Sequence, residues 1–133
     1  MTGADFPCTV PATTSAPVPS AVLVDPIADP IHPSRMEVLQ IPSGGVRING
    51  IAYLAQGPGP HPVVMLLHGL PGSEKNLDLA QAIRRAGWSV VTFNYRGSWG
   101  SPGPFRFGNV LEDADAVLAF LREQDLAELS PAT

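Results

Sequence analysis

The sequence predicts an α/β fold: an antiparallel hairpin, then a parallel strand–helix–strand unit, then a further helix. Three observations carry the prediction. Two β-leaning runs, Met36–Ile41 and Val46–Leu54, flank the turn signal Pro42-Ser43-Gly44-Gly45. Two further runs, Val63-Val64-Met65-Leu66-Leu67 and Trp88-Ser89-Val90-Val91-Thr92-Phe93, show no apolar/polar alternation and enclose a stretch of helical period. A second amphipathic stretch begins near Asn109.

The 133 residues allow one domain with a modest core. A 44% apolar content argues for a folded chain rather than a disordered one. A net charge of -4 gives no footprint for nucleic acid or for an anionic bilayer surface as a partner. No apolar run approaches the roughly 18 residues of a membrane span. The first residues also lack a basic region followed by an apolar stretch, so a cytoplasmic protein is expected. Cys8 is the one cysteine and has no partner for an internal disulfide.

Seven of the fifteen prolines lie within residues 1–34, a stretch whose only charges are Asp5, Asp25 and Asp29. Proline fixes φ and removes a donor, so residues 1–34 read as an extended leader, a linker or an arm lying on the domain, with a proline-rich ligand for a partner as the alternative. The domain proper is expected over 35–133. Its hairpin is followed by the breaker Gly57-Pro58-Gly59-Pro60-His61-Pro62 and the strand Val63–Leu67. Leu79, Ala80, Ile83 and Ala86 then form a helical stripe, with Ser73 or Asn76 as the candidate cap and Gly87 as the stop. Strand, helix and strand over 62–94 require a parallel pair joined by a right-handed crossover. A Gly/Pro loop over 95–108 leads to the last helix. Its predicted stripe is Val110, Leu111, Ala114, Val117, Leu118 and Leu121, with Glu112 completing a capping box to Asn109. Glu112, Asp113, Asp115, Arg122 and Glu123 are expected to face water.

Chemistry is concentrated in Pro62–Gly72, PVVMLLHGLPG. A strand ending in His-Gly and a Gly/Pro turn places backbone N–H groups at the C-terminal edge of the sheet, where open α/β sheets bind ligands. Glycine allows close approach, and free N–H groups there can hold an oxyanion. On these residues the chain resembles the α/β-hydrolase superfamily. HGLPG is similar to its HG-x-x-G oxyanion-hole turn, and SVVTFNYRGSWGSPGP is similar to the strand and loop of prolyl-oligopeptidase-like and dienelactone-hydrolase-like members. The resemblance covers about residues 35–124, through the helix LEDADAVLAFLR.

It implies that the Leu70 N–H is one oxyanion donor, supported by His68, Gly69 and Gly72, and that His68 is not the catalytic base. Trp99, Phe105 and Phe107, on the loop after the second parallel strand, are candidates for a substrate mouth. Arg96 is expected to pair with a carboxylate structurally rather than to bind a substrate carboxylate. The superfamily's nucleophile lies in G-x-S-x-G, followed by an acid and a histidine. No serine here has that context, and none of the three triad positions is present. The resemblance thus implies the N-terminal part of an α/β-hydrolase fold, with an incomplete sheet whose strand Val63–Leu67 is an open edge able to pair with another chain.

Competing motifs are missing. Lys75 follows Glu74, so there is no P-loop, and no G-x-G-x-x-G follows either strand. Cys8, His32, His61 and His68 lack metal-ligand spacing, so neither a metal nor a cofactor is expected. Two readings follow. In the first, the parent protein is a serine hydrolase acting on a small-molecule ester or a peptide by acyl transfer, and this chain alone is inactive. In the second, the half-fold is a non-catalytic binding module.

Overall fold

The computed structural model describes residues 16–70 and 74–124. In chain order these form helix α1 (Ser20–Leu23), strands β1 (Arg35–Ser43), β2 (Val46–Leu54) and β3 (Val63–Leu66), helix α2 (Leu77–Arg85), strand β4 (Ser89–Phe93) and helix α3 (Phe107–Glu123). The strands make one sheet in the order β1-β2-β4-β3. β3 and β4 are parallel and the other neighbours antiparallel, which is the α/β arrangement the sequence predicts.

The β1–β2 hairpin turns on Gly44 and Gly45, with φ of 55° and 81°, and brings Ser43 opposite Val46. A two-residue turn with both residues left-handed matches the twist of the strands, and glycine adopts it without a Cβ penalty. Leu39, Ile41 and Ser43 of β1 face inward, while Met36, Val38 and Gln40 alternate outward.

Helices cover both faces of the sheet. On one, α3 sends Val117 into Leu39, Ile41, Ile48, Ala52, Leu54, Val91, Phe93 and Tyr95. On the other, Ala80 and Ile83 of α2 pack on Tyr53, Val90, Ile51 and Leu66. All five residues of β4 are buried between these layers. The expectation that Val63–Leu67 is buried on both faces does not hold. β3 pairs only with β4 among the described residues, and it is half-buried, with Val63 and Leu67 exposed. Its place at the sheet edge is the reason.

Both helices differ in detail from the predicted pattern. In α2, Leu79 and Ala86 are exposed and only Ala80 and Ile83 reach the core. The Gly87 stop is present: Gly87 has φ 97°, its N–H bonds the Arg84 carbonyl, and the Trp88 N–H bonds the Ile83 carbonyl. That is a Schellman motif. Asn76 occupies the N-cap position in a left-handed conformation without a side-chain cap bond, and Ser73 lies outside the described residues. Helix α3 starts at Phe107, two residues early, with Arg106 at the N-cap and no side-chain cap; Asn109 and Glu112 therefore fall inside the helix, and Glu112 pairs with Arg96. Leu111 is exposed, and Leu118 is 38% exposed, whereas Asp113 is buried completely.

Within the proline-rich stretch, one helical turn fits between Pro19 and Pro26 as α1, which packs on α2. Asp25 pairs with Arg84 and Arg85, each at 2.8 Å. Asp29 accepts the Ile31 and His32 N–H groups, and the His32 carbonyl accepts the Gly57 N–H. Residues 16–34 therefore lie along the edge of the sheet where β4 begins, opposite the edge where β3 and β4 end. No helix among the described residues is long and apolar enough to cross a membrane.

Candidate functional site

The turn that leaves β3 is built around His68, which is 5% exposed. Its Nδ1 lies 3.1 Å from the Gly69 carbonyl oxygen, and its Nε2 accepts the Tyr95 N–H at 3.4 Å. With Nε2 as acceptor, the neutral ring carries its proton on Nδ1 and donates to Gly69, an assignment made from the hydrogen-bond network. The Tyr95 ring packs at 4.4 Å from the imidazole, and Phe93 packs edge-on against Tyr95 at 5.2 Å. Burial, then the nearby Asp113 charge, pushes the Tyr95 phenol above its ordinary value.

The Gly69 carbonyl and the Leu70 N–H belong to one trans peptide unit and point in opposite directions. Holding the carbonyl toward His68 therefore aims the Leu70 N–H away from it. No acceptor among the described residues meets that N–H. Leu70 itself is 36% exposed, and a Cβ at Gly69 would meet nothing within 4 Å. Gly72 lies outside the described residues.

The loop after β4 is anchored at two places. Ser101 Oγ donates to the Asn94 carbonyl and accepts the Asn49 N–H, while Asn49 Nδ2 donates to the Gly100 carbonyl. Further along, Arg96 reaches Asp113. The carboxylate accepts Arg96 Nε at 2.7 Å, the Arg96 N–H at 2.8 Å and Ser43 Oγ at 2.6 Å. Arg96 Nη2 lies 2.8 Å from Glu112 Oε2, an ion pair whose angle falls outside hydrogen-bond geometry. A Cβ at Gly44 would run into the Arg96 guanidinium, so the hairpin glycine serves this contact as well as its turn.

Arg96 thus meets carboxylates, and sequence reasoning placed the wrong residue in water: Asp113 is the partner, not a solvated charge. The signal was present. Val110, Asp113, Ala114 and Val117 follow the i, i+3, i+4, i+7 spacing of one helix face. Ser43, read only as a turn residue, was also missed.

Of the candidate mouth residues, Trp99 is 58% exposed in a left-handed conformation, φ 45°, and its carbonyl accepts Asn94 Nδ2. Phe107 is well exposed and packs edge-to-face with Phe105 at 5.4 Å. A shallow groove over the part of the sheet that α2 leaves open is lined by Val38, Gln40, Asn49, Ile51, Thr92 and Asn94, and includes neither Leu70 nor these aromatics. No group of three potential metal ligands comes together among the described residues.

Solved structures similar to this chain include α/β hydrolases. A serine hydrolase homologue from Coxiella burnetii superposes with a TM-score of 0.58 at 26% identity, covering 65% of this chain and 45% of that one. A thermostable carboxylesterase from a metagenomic library gives 0.57 at 25% identity, over 78% of this chain and 34% of its own. The chain carries part of an α/β-hydrolase fold. An esterase from Pyrobaculum calidifontis matches it with a TM-score of 0.57 at 25% identity, over 71% of this chain and 32% of that one. No family model matches the sequence. Two proteins of Mycobacterium tuberculosis, both described as uncharacterized, are 29% identical over 120 residues, or 90% of this chain. The chain spans about two fifths of the length of those relatives, 40%. Within the α/β-hydrolase fold, the His68–Leu70 turn is the loop between β3 and the first crossover helix.

Proposed function

We propose that this chain supplies the oxyanion-binding turn of a serine hydrolase that cleaves esters by acyl transfer, with the Leu70 N–H as one donor. The observation that carries the reading is the peptide unit at Gly69–Leu70, whose carbonyl is held by a buried histidine while its N–H meets no acceptor among the described residues. In α/β hydrolases one oxyanion donor comes from this loop, and the other is the N–H following the nucleophile. A serine activated by a histidine attacks the carbonyl carbon, and negative charge develops on the carbonyl oxygen. A donor already aimed at that charge needs no reorganisation during the reaction. Trp99, Phe105 and Phe107 then supply apolar contact for the acyl or alcohol group. The similarity to esterases supports an ester over a peptide as substrate.

The test is made on the gene product translated through any coding sequence beyond Thr133, which the reading expects to contain G-x-S-x-G. Leu70→Pro removes the N–H and should lower kcat on an activated ester about 100- to 1,000-fold. Leu70→Ala, which keeps the N–H, should stay within a few-fold of wild type. Equal effects from both variants would overturn the assignment.

A further inference from the structure

We infer that the buried carboxylate of Asp113 is a positioning residue for the His68–Leu70 turn, acting through Arg96, Tyr95 and His68. The inference rests on the proposed role of the Leu70 N–H and explains how α3, packed beneath the sheet, reaches that turn.

The path is continuous. Asp113 is fully buried, and its two oxygens accept three donors, from Ser43 Oγ, Arg96 Nε and the Arg96 N–H. A carboxylate satisfied on both oxygens in a dry site has one orientation. The bond to the Arg96 N–H fixes the Tyr95–Arg96 peptide. The loop beyond is closed on itself, with the Gly97 N–H shared between the Ser101 and Pro102 carbonyls, and it packs so tightly that a Cβ at Gly97 would collide with the Phe105 nitrogen and the Gly103 carbonyl. Tyr95 is held on its other side by its own N–H, which donates to His68 Nε2, and by its ring against the imidazole.

That donation decides where the histidine keeps its proton. A free neutral imidazole side chain favours the proton on Nε2. Here Nε2 is occupied as an acceptor, so the proton sits on Nδ1 and the ring donates to the Gly69 carbonyl. If the Tyr95 N–H moves, the ring is released to its ordinary tautomer, the Gly69 carbonyl loses its donor, and the Leu70 N–H loses its fixed direction. Arg96 alone does not suffice for this, since its guanidinium also has Glu112. Among the described residues, only Asp113 binds both the side chain and the main-chain N–H of Arg96.

The experiment reads the imidazole directly. Nitrogen NMR of the intact protein, at alkaline pH where imidazoles are neutral, distinguishes the two His68 tautomers, and amide exchange follows the Tyr95 N–H. Wild type should show the Nδ1–H form. Asp113→Asn should shift His68 toward the Nε2–H form and raise Tyr95 amide exchange roughly tenfold or more. Asp115→Asn, an exposed neighbour on the same helix, should change neither. Ser43→Ala removes one of the three donors and should move both readouts in the same direction by less, which keeps the test available if Asp113→Asn fails to fold. Retention of the Nδ1–H form and of Tyr95 protection in the folded variants would overturn the inference. The readout needs no turnover: a wild-type protein inert toward esters but showing the coupling would count against the hydrolase reading alone.

Discussion

Strands β3 and β4 lie side by side and run the same way, yet the more polar of the two is the buried one. β4 reads Ser-Val-Val-Thr-Phe and is covered at all five positions, whereas β3 reads Val-Val-Met-Leu and is half-exposed. Neighbours decide this. β4 has β2 on one side, β3 on the other and a helix on each face, and its Ser89 Oγ is used by the Ala55 N–H. β3 has one neighbour among the described residues. The loops that follow repeat the contrast: the loop after β4 is tied down through Asn94, Arg96 and Ser101, while His68 anchors the turn after β3. Strength is therefore concentrated beside the candidate site, and the site itself borrows it through the His68–Tyr95 contact.

The largest expected effect comes from breaking the anchor of the β4 loop. Asp113→Ala leaves a buried Arg96 without its main partner and should cost about 3–5 kcal/mol in denaturant unfolding. A loss near that of an exposed ion pair would mean that Glu112 alone holds Arg96, and the contrast between the two loops would lose its basis. Next come the strands themselves. Phe93→Ala, at a position 2% exposed, should cost about 3 kcal/mol, against about 1 kcal/mol for Met65→Ala on half-buried β3. Comparable losses at the two positions would contradict the difference in burial.

Much of this was legible in the sequence, and the parts that were not share a cause. Periodicity and turn residues located every strand and both long helices, since a Gly-Gly turn and unbroken apolar runs act locally. What escaped was pairing across the chain. Asp113 was assigned to water because a charged residue usually belongs there; its partners, Ser43 and Arg96, are 70 and 17 residues away. Asp25 reaches Arg84 and Arg85 across 59 and 60 residues, so a proline-rich stretch gave no hint of where it docks. The exposure of β3 was hidden for the same reason, because composition does not report how many neighbours a strand has. The turn at His68–Leu70 was legible as a motif, but the tautomer that aims it depends on Tyr95.

A smaller effect is expected at the open edge. Val63→Lys places a charge at a position 37% exposed, so stability should change by no more than about 0.5 kcal/mol. Concentration-dependent association through β3 should fall, because charged side chains blunt strand edges. Light scattering against protein concentration reads this. Association unchanged by the lysine would locate any self-pairing elsewhere.

The smallest effect separates residues 16–34 from the sheet they lie against. Arg85, then Arg84, holds the Asp25 carboxyl below its ordinary value, so the folded state binds that proton less readily than the unfolded state. The sign follows from linkage. The contribution is present above the unfolded carboxylate value, about 3.9, and is lost as pH falls through the lower folded value. Wild type and Asp25→Asn should therefore differ slightly in unfolding midpoint at neutral pH and converge in acid. The difference should also shrink with added salt, because Asp25 is exposed and screened. No gap at neutral pH would show that α1 is held on α2 by its apolar contacts rather than by the charge of Asp25, and the anchoring seen at the two arginines would then follow from the docking of this segment instead of causing it.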